Sequence, residues 1–143
     1  MLDQSFPKSF HLRSRGDFRL VYARRCSVGD NLVRLVGRLN ELPHPRIGLS
    51  VSRDCGNAVR RNRWKRLLRE AFRLSRQRLP ADLDFVVIPR AAEPPELQSL
   101  SKSMVDLTWR LRKRLKREEA TVRREEQADK SRAQTRKRKD ADE

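Results

Sequence analysis

From Arg60 to Arg78 the chain carries nine Arg or Lys side chains and one acid, Glu70. Eight of the nine are Arg, whose planar guanidinium suits bidentate contact with phosphate and stacking on bases. At about 100° per residue, Asn62, Lys65, Arg66, Arg69, Arg73 and Arg76 fall on one arc of a helix. Trp64, Leu67, Leu68, Ala71 and Phe72 fall on the other. Lys65 lies four residues before Arg69, and Arg69 four before Arg73. Like charges at that spacing destabilise an isolated helix. A phosphate backbone along the same arc would turn the repulsion into binding, with release of counterions. A merely solvated helix face usually mixes signs; this one does not.

Other constellations carry less chemistry. His11 and His44 stand alone, with no metal-ligand spacing around them. Asp82 and Asp84 are two apart near a strand start and could share a face. A protein-only, metal-dependent nuclease built on that pair would need more converging carboxylates. The sequence has no phosphate-binding glycine loop and no credible Ser-His-Asp arrangement, so catalysis by the chain itself is not expected. Phe10, Phe18 and Tyr22 precede the first strand. Aromatics beside a basic surface can stack unpaired bases, although core packing is their commoner use. Cys26 and Cys55 lack the spacing of a zinc site or a disulfide framework.

The 143 residues are enough for one domain with a modest core. Hydrophobic residues make up 36% and charged residues 38%, with 35 basic against 19 acidic side chains, a net +16. Such an excess points to a polyanionic partner. Its distribution matters more than its total. Residues 118–143 hold eight basic and eight acidic side chains, while 1–117 hold 27 and 11 and so carry the whole excess. The sequence therefore reads as an RNA-binding domain over 1–117 and a charged tail over 118–143. With Val122 its one aliphatic residue besides alanines, the tail cannot offset its ordering entropy and is expected to be disordered or a frayed helix. No apolar run approaches the ~20 residues of a membrane span, and a soluble, cytoplasmic protein is expected.

The elements that must position the basic arc follow from pattern. Residues 1–11 read as irregular. Ser14 should cap a short helix ending near Ala23, with Asp17 three residues on. Residues 32–39 and 46–52 read as strands, with turn chemistry over 40–45 predicting an antiparallel hairpin. Gly56-Asn57 opens the basic helix, which Pro80 closes. Phe85-Val86-Val87-Ile88 reads as a buried strand. A last helix is predicted over 97–117, with Leu97, Leu100, Met104, Leu107, Thr108, Leu111 and Leu115 facing inward. The order is helix, two or three strands, helix, strand, helix: an α/β layered single domain.

Gly56-Asn57-Ala58-Val59-Arg60-Arg61-Asn62-Arg63-Trp64-Lys65-Arg66-Leu67-Leu68-Arg69-Glu70-Ala71-Phe72 resembles the signature of the bacterial ribonuclease P protein family. Arg46-Ile47-Gly48-Leu49-Ser50-Val51-Ser52 is similar to the strand before it, and the likeness spans about residues 6–117. The resemblance implies the order α-β-β-β-α-β-α with a left-handed βαβ crossover. It implies a subunit of an endoribonuclease that removes the 5′ leader of precursor tRNA, with the chemistry and the Mg²⁺ held mainly by a catalytic RNA. It implies no small-molecule cofactor. Carried over by position, Arg53, Asn57, Arg60, Arg61, Asn62, Arg63, Lys65, Arg66, Arg69 and Arg73 would meet the catalytic RNA. Phe10, Phe18 and Tyr22 would bind the leader. Arg53-Asp54 departs from the basic pair that the family often carries there. Where the family often has an aromatic on the first long strand, this chain offers aliphatics such as Leu35 and Val36. A general RNA-binding or ribosome-associated protein is the alternative. It accounts for the charge but not for the spacing around Arg61-Asn62-Arg63.

Overall fold

The computed structural model describes residues 7–91 and 93–141; the first six residues of the irregular amino-terminal stretch lie outside them. The elements are α1 (Arg15–Ala23), β1 (Cys26–Gly29), β2 (Val33–Leu39), β3 (Arg46–Leu49), α2 (Ala58–Ser75), β4 (Leu83–Pro89) and α3 (Leu97–Ala141), with short 3₁₀ turns at Lys8–Phe10, Arg53–Cys55 and Arg76–Arg78. This is the predicted α-β-β-β-α-β-α order. The caps are where the sequence puts them. Ser14 Oγ accepts from the Asp17 amide at 3.0 Å, and Asn57 Oδ1 accepts from the Arg60 amide at 2.9 Å.

The four strands form one mixed sheet in the order β1-β2-β4-β3. The predicted hairpin between 32–39 and 46–52 does not form. β2 instead pairs antiparallel with β1 on one side and β4 on the other, and β3 is shorter, pairing parallel with β4. The reason is burial. Leu83 through Val87 are all buried, so β4 needs a covered position with strands on both sides. It inserts between two segments that local turn chemistry alone would join. β3 and β4 are thus a parallel pair connected through α2.

The two faces of the sheet are covered unequally. On one, α2 and α3 bury Trp64, Leu68, Phe72, Leu107, Leu111 and Leu115 against Leu35, Phe85 and Val87. On the other, α1 covers a small cluster of Leu12, Val21, Val36 and Val86, with Phe18 and Ile88 beside it. Two glycines permit these approaches. A Cβ on Gly37 would come within 2.5 Å of Leu111 Cδ2, and one on Gly48 within 2.8 Å of Phe18 Cζ.

α3 corrects the predicted boundary. Its inner face is as expected down to Leu115, but the helix does not stop near Arg117; it runs on to Ala141, 45 residues in all. The stretch from 118 to 141 is therefore helix, the second of the two states expected of it. No Gly or Pro follows Pro95, the residues are good helix formers, and Arg123 pairs with Glu119 at 2.6 Å at the i, i+4 spacing. No described helix is long and apolar enough to cross a membrane.

Candidate nucleic-acid interface

α2 builds the site by segregating its residues. Trp64, Leu68, Ala71, Phe72 and Ser75 are buried against the sheet and α3. The outward arc then carries a groove of about 380 Å³ lined by Asn62, Lys65, Arg66, Arg69, Glu70 and Arg73. Arg66 and Arg69 are exposed, and Lys65 is half-buried. Arg73 donates to Glu70, Nε to Oε2 at 3.1 Å, and that hydrogen bond holds the Glu70 carboxyl below its usual range. Thus the one acid within the run tethers Arg73 and leaves Arg66 and Arg69 of the groove facing outward.

The predicted basic residues do not form a single patch. Arg61, Asn62 and Arg63 are consecutive and fan through about 200° of the helix. Asn62 joins the groove. Arg61 falls on the inner arc beside Trp64 and is half-buried, with its Nε buried and no hydrogen-bond partner among the described residues. Arg63 is exposed on the far flank. Arg60 lies on that side as well, paired with Glu93 at 2.7 Å, where it fastens the segment before α3. Asn57 spends its acceptor on the cap. Arg53, with Asp54, is exposed in the turn that leads into α2.

A second cavity, about 230 Å³, adjoins the first where α2 meets the edge of the sheet. Its lining is His11, Leu12, Phe18, Ile47, Leu49, Lys65 and Arg69. Lys65 and Arg69 thus belong to both hollows, so the basic arc continues into the cleft beside α1. Phe18 is half-buried in this cleft. Tyr22, one turn further along α1, is 42% exposed.

The third predicted aromatic goes elsewhere. Phe10 packs on the α2 side, its ring 4.6 Å from His44 and 6.1 Å from Phe72, with the Arg76 guanidinium 4.4 Å above it. The structure therefore separates Phe10 from Phe18 and Tyr22. The next residue, His11, bridges to Ile47 and lines the cleft instead. Leu35 is likewise buried in the larger core, not on the cleft face. Val36 and exposed Arg34 share the α1 side of β2, since alternate residues share a face. A lone Arg in an apolar run gives no signal in the sequence until the sheet shows which face is open, and so Arg34 was not among the predicted residues. Its guanidinium offers a stacking plane on a strand that has no aromatic.

The two aspartates weighed as nuclease candidates are committed to cations. Asp84 is fully buried. Arg46 donates to it twice, Nε to Oδ1 at 2.9 Å and Nη2 to Oδ2 at 2.7 Å, and Asn40 Nδ2 donates at 2.6 Å. Asp82 accepts from Arg112 Nε at 2.8 Å, which holds its carboxyl below the usual range. Among the described residues no group of three His, Cys, Asp or Glu could hold a metal ion.

The comparisons with known proteins agree with this geometry. A family model described as Ribonuclease P matches residues 6–112. The ribonuclease P protein component of Escherichia coli (strain K12 / DH10B) is 39% identical over 119 residues, covering 82% of this chain and 98% of that protein. The protein of the same name from Shigella boydii serotype 18 shows the same identity and coverage. Among solved structures, the RNase P protein from Thermotoga maritima aligns with a TM-score of 0.63 at 32% identity, covering 70% of this chain and 96% of that one. The RNase P protein of Staphylococcus aureus aligns at 0.60 and 29%, covering 70% and 93%.

Proposed function

The chain belongs to the ribonuclease P protein family, the protein component of a tRNA-processing ribonucleoprotein with an RNA partner, and from that premise we propose that it holds a catalytic RNA and the 5′ leader of precursor tRNA on one continuous surface. The observation that carries this reading is that Lys65 and Arg69 line both the α2 groove and the Phe18 cleft. Asn62, Lys65, Arg66, Arg69 and Arg73 meet phosphates of the catalytic RNA, joined by Arg61 from the edge of the inner arc. Arg53, Asn57, Arg60 and Arg63 lie at or beyond the near end of the helix and contact a neighbouring stretch of the same RNA. Phe18 and Tyr22, with Arg34 beyond them, receive the unpaired leader, whose bases can stack on rings and guanidinium planes.

In this reading the RNA carries the hydrolytic centre and the Mg²⁺. Asp82 and Asp84 do not fit a magnesium site, since each is held by an arginine. The protein contributes positive charge where leader and catalytic RNA converge, lowering the repulsion between two polyanions. The test is reconstitution. Purified chain alone should not cleave precursor tRNA, but should stimulate cleavage by the ribonuclease P RNA at low Mg²⁺. Robust metal-dependent cleavage by the protein with no RNA present would overturn the assignment. Asp82→Asn with Asp84→Asn would then abolish that activity.

A further inference from the structure

Residues 118–143 are neutral in sum, three of the acids falling at 140–143, yet their charges are segregated along the sequence. Residues 118–129 hold five acids and two bases; residues 130–139 hold six bases and no acid. The first part is tied to the body, with Glu118 2.9 Å from Arg24, which caps the end of α1, and 3.4 Å from Arg114. The second part projects away from it: side chains from 130 to 139 are all exposed. At 1.5 Å per residue, Arg136 stands roughly 30 Å beyond Leu115, the last buried side chain among the described residues. That is several Debye lengths at physiological salt, so the tip and the α2 arc do not share a field. The family match ends at residue 112, so the arm is no part of the matched domain.

We propose that residues 130–139 form a second RNA-contacting arm, which grips the phosphate backbone of a helical stem of the same RNA at a distance from the α2 groove. Arg132, Arg136 and Lys139 follow one stripe at i, i+4 and i+7, and Lys130, Lys137 and Arg138 lie around the other sides. A rod with charge on several sides and no apolar face fits phosphates flanking a groove. It does not fit a protein partner, which would need an apolar anchor. The repulsion within the stripe is relieved when phosphates neutralise it, as on α2. The acidic base of the arm, 118–129, keeps RNA off the shaft and leaves the contact to the tip. The inference rests on the RNA partnership proposed above.

The test uses the full chain and the ribonuclease P RNA, measuring affinity against salt. Changing Arg136→Gln, Lys137→Gln, Arg138→Gln and Lys139→Gln together should weaken binding about tenfold or more near physiological salt. It should make the slope of log K against log salt shallower by roughly 3, about 0.9 for each phosphate no longer neutralised. Arg123→Gln with Arg124→Gln, in the acidic shaft, should leave both unchanged. Equal affinity and slope for the fourfold variant and the unaltered chain would overturn the arm. If the unaltered chain bound this RNA with no salt dependence, the RNA reading itself would fall, and the arm with it.

Discussion

The two faces of the sheet divide the labour of the molecule. Among the described residues, the cluster under α2 and α3 contains eighteen buried side chains, and the cluster under α1 contains four. The difference follows from helix length. α1 has nine residues and cannot cover a four-stranded sheet, whereas α2 and α3 each lay several turns across it. The well-covered face supplies most of the hydrophobic stabilisation, about 25 cal/mol per Å² buried. The under-covered face leaves Arg34, half-buried Ile88 and the Phe18 cleft accessible. A surface meant to receive a ligand is one the fold has left partly uncovered.

Four experiments bear on that division, from the largest effect on stability to the smallest. Asp84 joins β4 to both its neighbours through Arg46 and Arg38. Asp84→Ala should cost roughly 3–5 kcal/mol in denaturant unfolding, because it leaves the largely buried Arg46 guanidinium with only the Asp17 carboxylate, 3.9 Å away. A loss under 1 kcal/mol would mean the network adds little. Next, Leu68→Ala in the large cluster should cost about 2–5 kcal/mol, and Val21→Ala in the small one about 1.5 kcal/mol, near 0.8 per methylene equivalent. If the two losses were equal, the comparison of faces would fail.

The third concerns pH. Arg112 lowers the Asp82 carboxyl in the folded state from its ordinary value of 3.8. A depressed carboxylate contributes stability above its unfolded value, and that contribution disappears as pH falls through the folded value. Arg112→Ala should therefore lose stability near neutrality and show a flatter decline below about pH 4 than the unaltered chain, read from thermal melts across pH. An unchanged acid limb would show that the pair is not formed in solution. Finally, Lys65→Ala with Arg69→Ala should leave stability within about 0.5 kcal/mol. The same pair should weaken RNA binding and flatten the salt slope by about 1.5 to 2. Unchanged binding would remove the junction between groove and cleft from the interface.

Much of this is legible in the order of residues alone. Periodicity separates Trp64, Leu68 and Phe72 from Lys65, Arg66 and Arg69, because both faces of a helix are written within a few turns of chain. The caps at Ser14 and Asn57 are equally local. Choices among distant segments are not legible in that way. Turn chemistry at 40–45 favours a hairpin, but β4, buried on both faces, displaces it. Phe10 and Phe18 look alike in sequence, and only the path of the chain past Ile47 sends one into the core and the other into the cleft.

The continuation of α3 past Leu115 is hidden for another reason. Burial ends there, so apolar content argues against order, yet no residue stops the helix, and propensity with i, i+4 pairing carries it on. By itself, then, the sequence determined which residues of α2 face inward, where its helices begin, and that its excess charge seeks a polyanion. Tertiary structure alone decided that β4 separates β2 from β3, that Asp82 and Asp84 answer to arginines, and that Lys65 and Arg69 look into two hollows at once. Local pattern fixes the orientation of a side chain on its own element. Which element stands opposite depends on how the whole chain competes for burial.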